Sequence, residues 1–496
     1  MFPLKEFCKS KTKGNLFTIP PITILDVYNY LIRLKQTNTK DLDGLDGKIL
    51  KLSAPVITDT LTYIYNLCLD KKYFPSKLKQ AKVVPIHKSG NPSDPSNYRP
   101  ISILSILSKP LERHIHSHLY QHLKDNDLLH ENQSGFRENH SCHTALIQLV
   151  DKCLANINNN RFTGIIFADF SKAFDVISHP LLIRKLRCYH ANEDSIDLFS
   201  SFLSDRKQTV EIDSKQSTFL PITHGIPQGS ILGPLFFSIY INDLPLFTDS
   251  PCEMFADDTS MQADDLNAVN LTKKLQRNLD SLTDWTDLNH MSLNSVKTKA
   301  MFVTTRQKRK KMTSNFPALH IENKKVEVVK SHKVLGVLID QDLSWSEHLS
   351  VLGKRISQKI YQLSKIKHFL DKNSRRLFFY AHIQSQINYA STLWDNASES
   401  NLKIIHRLYK RAIKLILLKS SSLIKDDYKS IGILPLKSRL DYSKYICMHN
   451  IINERAPRKI INNFNVNDNR HNHKLSFERP KNDLFKTSLT YSGAKL

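Results

Sequence analysis

The chain has 496 residues, 40% of them hydrophobic, and carries 71 Lys and Arg against 47 Asp and Glu, a formal charge of +24. That is enough polypeptide for several lobes with a real core, and the charge makes a polyanion the expected partner. The most apolar run, Ser230 to Phe247, is broken by Asn242 and Asp243 and falls short of a membrane span. No charged-then-apolar leader opens the chain, and the seven cysteines are scattered without a CxxC pair, so an intracellular, reducing setting is expected.

In chain order, Ile22–Gln36 is predicted as a short amphipathic helix, and residues 49–70 as a helix interrupted at Pro55. Ala81–Ile86 is predicted as a strand, followed by a polar loop from Ser89 to Asn97. A helix is predicted over Leu107–Leu123, with Pro110 in its first turn. Gly164–Ala168 is a short apolar run of the kind that forms a buried strand, and it ends on Asp169. Lys207–Asp213 and Ser217–Ile222 alternate as a hairpin would, and Ser230–Ile241 suggests a buried helix. Glu253–Ala256 is a second apolar strand, ending on Asp257-Asp258. After it comes an amphipathic helix carrying Leu271, Leu275, Leu279, Leu282, Trp285 and Leu288. Strands are predicted at Ala300–Thr304 and Val334–Ile339. From Leu343 to about Lys419 the chain is helical and basic, and the last ~30 residues, rich in Asn, His and Lys, are expected to be partly disordered.

A carboxylate at the end of a buried strand is costly unless paired or bound to a cation, and carboxylates suit hard ions such as Mg2+. Neighbouring strands would bring Asp169 and Asp257-Asp258 together across ~5 Å. That arrangement could serve two-metal phosphoryl transfer. The pairs Asp264-Asp265 and Asp426-Asp427 have polar surroundings and are read as solvated surface.

The segment Phe167-Ala168-Asp169-Phe170-Ser171-Lys172-Ala173-Phe174-Asp175 resembles the first palm motif of reverse transcriptases. Gly225-Ile226-Pro227-Gln228-Gly229-Ser230-Ile231-Leu232-Gly233-Pro234 resembles the second, and Phe255-Ala256-Asp257-Asp258 the third. Asn97–Ser102 and Gln133–Arg137 are similar to the upstream fingers motifs. Leu293–Lys299 and Val334–Val337 are similar to the downstream ones. The set resembles the polymerase of a jockey-like non-LTR retrotransposon over roughly 40–420. Two departures stand out: Phe255 where many relatives carry Tyr, and no endonuclease or Cys/His knuckle beside the polymerase motifs. A partial element, or one unit of a longer polyprotein, is the reading.

The resemblance implies an α+β right-hand polymerase. Residues 1–67 would extend the fingers, 68–340 form fingers and palm with a mostly antiparallel sheet, and 341–496 a helical, basic thumb and tail. It implies RNA-directed DNA synthesis on an RNA template, the element's own RNA, from a DNA primer and dNTPs. Two Mg2+ ions would serve, with Mn2+ as the substitute, and the protein would work without a membrane, in nucleus and cytoplasm. Asp169, Asp257 and Asp258 would ligate metal, helped by the Phe170 carbonyl. Lys88 and Arg99 would hold the triphosphate, with Lys82 competing for that role. Gln228 and Gly229 would cover the nascent base pair. Phe174 would lie under the incoming sugar, the other reading being a core residue. Gly135, Phe136 and Arg137 would touch template, and Leu335-Gly336 would place the primer end unless it is only part of a hairpin. Asp175 is read as a structural hydrogen-bonding residue.

Two further patterns are weaker. His114, His116, His118 and His122 include i,i+4 pairs that could bind zinc, but with no acidic or Cys partner a solvated helix face is expected. The run Arg306–Lys311 is a nuclear-import signal, a phosphate patch or a solvated loop. Rival functions are a decayed or domesticated copy that only binds nucleic acid, against which the intact acidic triad stands, and a nucleotide cyclase, against which the fingers motifs stand.

Overall fold

The computed structural model describes residues 2–12, 16–310, 316–469, 472–476 and 480–495, and the side chains of 465–479 are outside that description. The chain is mixed helix and sheet, and it divides into two compact units, each assembled from three separate stretches. The first comprises 1–136, 170–248 and 281–294; the second comprises 137–169, 249–280 and 295–496. Elements are numbered in chain order.

The first unit contains helices α1 (Phe2–Lys11), α2 (Ile24–Ile32), α3 (Gly47–Asp70), α4 (Ser108–Asp125), α6 (His179–Cys188), α7 (Glu193–Leu203) and α8 (Gly233–Ile241). Its strands are β1 (Gln80–His87), β2 (Tyr98–Leu104), β4 (Arg206–Ile212), β5 (Lys215–Gln216) and β6 (Leu220–Ile222). They form one sheet in the order β2-β1-β4-β5, with β6 also on β4. The expected hairpin after residue 206 is present as antiparallel pairs of β4 with β5 and β6.

Helix α3 corrects one expectation, because it runs through Pro55 without a break. Asp46 caps it by accepting from Lys48 N and Ile49 N, both at 2.9 Å. Leu50, Ala54, Leu61, Tyr65 and Cys68 then bury one face. Such burial offsets the single hydrogen bond that proline removes.

The second unit holds α5 (Cys142–Asn158), β3 (Phe162–Ala168), β7 (Cys252–Phe255), β8 (Asp258–Asp265), β9 (Lys299–Val303) and the short strands β10 (His320–Ile321), β11 (Lys324–Lys325) and β12 (Glu327–Val328). A hairpin of β13 (Ser331–Val334) and β14 (Val337–Asp340) follows. The main sheet has the order β12-β9-β3-β8-β7 and is antiparallel except between β12 and β9. All seven residues of β3 are buried, as a central strand requires. Gly164 is the one β3 residue without a side chain, and a Cβ there would come 2.3 Å from Leu275 Cδ1. Leu275 belongs to α9 (Ala268–Leu288), whose Leu271, Leu275, Leu279, Leu282 and Trp285 are buried as predicted, whereas Leu288 is exposed.

Three more expectations change. Val334–Ile339 is not one strand; Leu335 (φ 45°) and Gly336 (φ 86°) make the two-residue turn of the β13–β14 hairpin. Helical structure continues past Lys419 through Lys425–Ile431, Leu436–Ile452 and Arg458–Ile461. Residues 489–494 of the polar tail form a helix fastened to α5, where buried Asp151 accepts from Leu489 N at 3.0 Å and from Thr490 N at 2.9 Å. Tail residues 470, 471, 477–479 and 496 lie outside the described residues.

Candidate active site

Asp169 directly follows β3. The β3–β8 register ends on Ala168 opposite Thr259, so one further step brings Asp169 abreast of Asp258. Asp257 and Asp258 close a tight β7–β8 hairpin in which Phe255 pairs with Asp258. Ala256, at φ 57°, makes that turn. The expected apolar strand is therefore followed at once by its antiparallel partner, and the two adjacent aspartates stand at the tip.

Asp169 N–H donates to Thr298 Oγ1 at 3.3 Å, and Lys297 Nζ stands 4.0 Å from Asp169 Oδ2. Asp169 and Asp258 line one cavity of about 400 Å3, together with Phe167, Met254, Lys297 and His332. The His332 ring stacks on Phe167 at 4.3 Å, and burial pushes its pKa down. Asp257 is exposed beside that cavity's lining. Among the described residues, no three His, Cys, Asp or Glu side chains converge into a ready-made metal cluster. The carboxylate oxygens of Asp169 and Asp258, which line the same cavity, are of the type that suits a hard divalent ion. Phe170, the next residue, belongs to the first unit, where it bridges to Leu293 and its ring lies 6.3 Å from Trp285.

A second constellation lies wholly within the first unit. The 225–233 loop packs on the Phe174-Asp175 turn: Ile226 N–H donates to Phe174 O at 2.9 Å, and Gln228 Nε2 to Asp175 Oδ1 at 3.1 Å. Asp175 thus makes the hydrogen bond foreseen for it. Phe174 is half-buried, its ring stacked on Phe237 at 4.3 Å. Ser102 N–H on β2 donates to Gln228 O at 2.9 Å. The close approach that Gly229 permits is to the backbone of Ser102.

Arg99 and Lys88 belong to the β1–β2 hairpin, where Arg99 pairs with Ile86, and Lys88 N–H donates to Asn97 O at 2.8 Å. Both side chains are exposed. Lys82 is engaged: it is largely buried and pairs with Glu211 at 3.3 Å, which leaves Arg99 and Lys88 as the accessible cations of this hairpin. Phe136 is half exposed at φ 57°, and Gly135 N–H donates to Gln133 Oε1 at 2.7 Å; Arg137 opens the second unit. At the β13–β14 tip, Tyr389 OH donates to Leu335 O at 2.5 Å, and the Tyr389 ring backs Gly336.

The histidines of α4 are not a uniformly solvated face. His114 is buried with Nε2 2.8 Å from Pro20 O, and His122 Nε2 lies 3.0 Å from Tyr189 O. The basic run is also partly committed. Arg306 and Arg309 pair with Asp342 at 3.0 and 3.3 Å, and Lys308 lies 3.8 Å over the Phe162 ring. Lys311 lies outside the described residues.

Two residues at these constellations escaped the sequence reading. One is Tyr389. The other is Glu112, a buried carboxylate of α4 that bonds the 230–232 segment. The signal for Glu112 was there: it shares the helical stripe of Ser108, Leu111, Ile115 and Leu119, which is buried throughout.

The two strand-end acids, the loop between Gly225 and Gly233 and the β1–β2 hairpin all fall within residues 86–353 or at their edge. Over that span, more than half its length, the chain matches the reverse transcriptase (RNA-dependent DNA polymerase) family, and it belongs to that family. It is similar to the RNA-directed DNA polymerase from mobile element jockey of Drosophila melanogaster, 28% identical over 73% of this chain and 40% of that protein. It is equally similar to the probable RNA-directed DNA polymerase from transposon BS of the same species, at 28% over 80% of this chain and 45% of that protein. A Pol polyprotein of the type-1 retrotransposable element R2 of Popillia japonica is 28% identical over 52% of the chain and 37% of its own length. The chain thus spans less than half the length of these relatives. Among the described residues, no helix is long and apolar enough to cross a membrane.

Proposed function

We propose that this chain is the RNA-directed DNA polymerase of a jockey-like non-LTR retrotransposon, copying the element's own RNA into DNA from a DNA primer. The observation that supports this most is that the β3–β8 register ends on Ala168 opposite Thr259, with the next residues, Asp169 and Asp258, lining one cavity, in a chain matched by the family across both. In this reading the second unit's sheet is the core of the palm, β1 and β2 belong to the fingers, and the helices after 341 form a thumb. The protein works inside the cell, in cytoplasm and nucleus.

Asp169, Asp257 and Asp258 hold the metal ions, with the Phe170 carbonyl as a further oxygen donor. When bound, two Mg2+ ions acidify the primer 3′-OH and neutralise the departing pyrophosphate. Arg99 and Lys88 bind the triphosphate, Arg99 through a planar fork that matches phosphate oxygens. Gln228 and Gly229 lie over the nascent base pair, and Phe174 packs under the sugar. Gly135, Phe136 and Arg137 contact template, and the Leu335-Gly336 turn supports the primer end. Most of the barrier lowering in phosphoryl transfer comes from such positioning and charge neutralisation. Primer extension on an RNA template with Mg2+, beside an Asp257→Ala control, tests the proposal. Product from the wild type and none from the control is expected; equal product from both would sink it.

A further inference from the structure

Glu112 is 1% exposed and sits at the start of the second turn of α4. A carboxylate in such a place needs partners, because an unpaired buried charge is strongly destabilising. Its partners are specific. Oε1 accepts from Ser108 Oγ at 2.7 Å, one turn back on the same helix. Oε2 accepts from Ser230 Oγ at 2.8 Å and from Ile231 N–H at 2.7 Å, with Leu232 N–H at 3.5 Å. Ser230 Oγ in turn accepts from Leu232 N–H and Gly233 N–H, both at 3.1 Å. Gly233 is the first residue of α8, so the carboxylate also stands at the positive end of a buried helix. Arg206, itself buried, interacts electrostatically with Glu112, while its Nη1 donates to Phe202 O at 2.8 Å.

These bonds fall one to three residues after Gly229. On the other side, Ser102 holds the Gln228 carbonyl and Asp175 its amide. The Gln228-Gly229 segment is therefore fixed at both ends, and its downstream anchor is a single carboxylate. We propose that Glu112 is a positioning residue for nucleotide selection: it holds the Gln228-Gly229 backbone in place by gathering the Ser230 hydroxyl and the amides at the start of α8. This rests on the polymerase reading for the role of Gln228 and Gly229, while the anchoring itself does not.

The test uses the full chain with Glu112→Gln, which keeps size and shape but removes the charge. Ser230→Ala, which deletes only the loop hydroxyl, serves as a second variant should the first fold poorly. Amide hydrogen exchange over residues 228–233 and steady-state primer extension are measured together. Exchange in that segment is expected to accelerate about tenfold or more, the loss typical of a charge-assisted bond. The KM for dNTP should rise by a similar factor, while primer–template affinity and exchange elsewhere in the first unit stay near wild type. Unchanged exchange at 230–233 would overturn the proposal. So would a uniform loosening of the unit with parallel loss of template affinity, which is what a plain core residue would give. A wild-type chain inert in extension would instead bring down the polymerase reading, and the exchange measurement alone would then decide the anchoring.

Discussion

A Cβ on Gly229 would sit 2.0 Å from the carbonyl oxygen of Ser102. That oxygen is main chain on β2 and cannot swing aside, and Gly229 also has φ 152°. Gly229→Ala is therefore expected to displace the 225–233 loop or unfold the first unit, at a cost of a few kcal/mol. Gly44→Ala is the control, since Gly44 has φ 75° with nothing within 4 Å of its Cβ and carries backbone strain alone. Thermal melts of the two variants should separate clearly; equal melting temperatures would contradict the clash.

Asp169→Ala and Asp257→Ala are each expected to reduce Mg2+-dependent extension by at least ~10³-fold, because charge neutralisation carries much of phosphoryl transfer. Both residues reach solvent, so neither change should lower the melting temperature appreciably. Undiminished extension by either purified variant would remove that residue from the metal site.

Arg99→Ala should raise the KM for dNTP roughly tenfold or more, the effect of losing a charge-assisted phosphate contact. Lys82→Ala is expected to leave that KM alone and cost stability instead, because its ammonium is occupied by Glu211. If template affinity collapses in Arg99→Ala while the dNTP KM holds, Arg99 serves the template.

Phe174→Val tests the sugar. Removing a half-buried ring that stacks on Phe237 should lower the melting temperature by a few degrees in any case. If the ring also excludes a 2′-OH, use of rNTP relative to dNTP should rise well beyond the loss of overall activity. An unaltered ratio would make Phe174 a packing residue only.

Acid should destabilise the second unit through His348. Burial holds its pKa down at about 4, against an ordinary value near 6.5. Between those values the unfolded chain binds a proton that the folded chain does not. The stabilisation is complete above pH ~6.5 and is lost progressively as pH falls toward ~4. Protonation would also remove Nδ1 as the acceptor that lies 3.4 Å from Leu338 N. His348→Gln should flatten the stability–pH slope in that window while the slope from half-buried histidines whose pKa burial also lowers, such as His143, persists. A slope identical to wild type would exclude His348 as a contributor.

What the sequence reveals follows from what each position is made of. Strand β3 is legible because a strand buried on both faces must be apolar along its length, and Asp169 stands out against that run. The Ala256-Asp257 turn is hidden because it contains neither Gly nor Asn, and an Ala at φ 57° leaves no compositional trace. Leu335-Gly336 hides differently: the apolar residues on either side read through the turn as one strand. Glu112 looks like a surface residue by type, and only its place on the buried stripe of α4 reveals otherwise, while His114, off that stripe, is covered by the distant Pro20. The acids of the candidate site were legible because they break a pattern, whereas their support was not, because it comes from residues distant in sequence.

Asp151 offers the extreme case of such distance. Its carboxylate is buried on α5, and the amides it binds are 338 and 339 residues further along. During synthesis that acid emerges from the ribosome long before Leu489 and Thr490 exist, and at about 5–20 residues per second the wait is tens of seconds. Throughout that interval α5 cannot bury its carboxylate with its final partners. The order of translation thus keeps this face of α5 wet until Leu489 and Thr490 have been made, and a surface left open for that long is where a nascent chain is most exposed to misassembly.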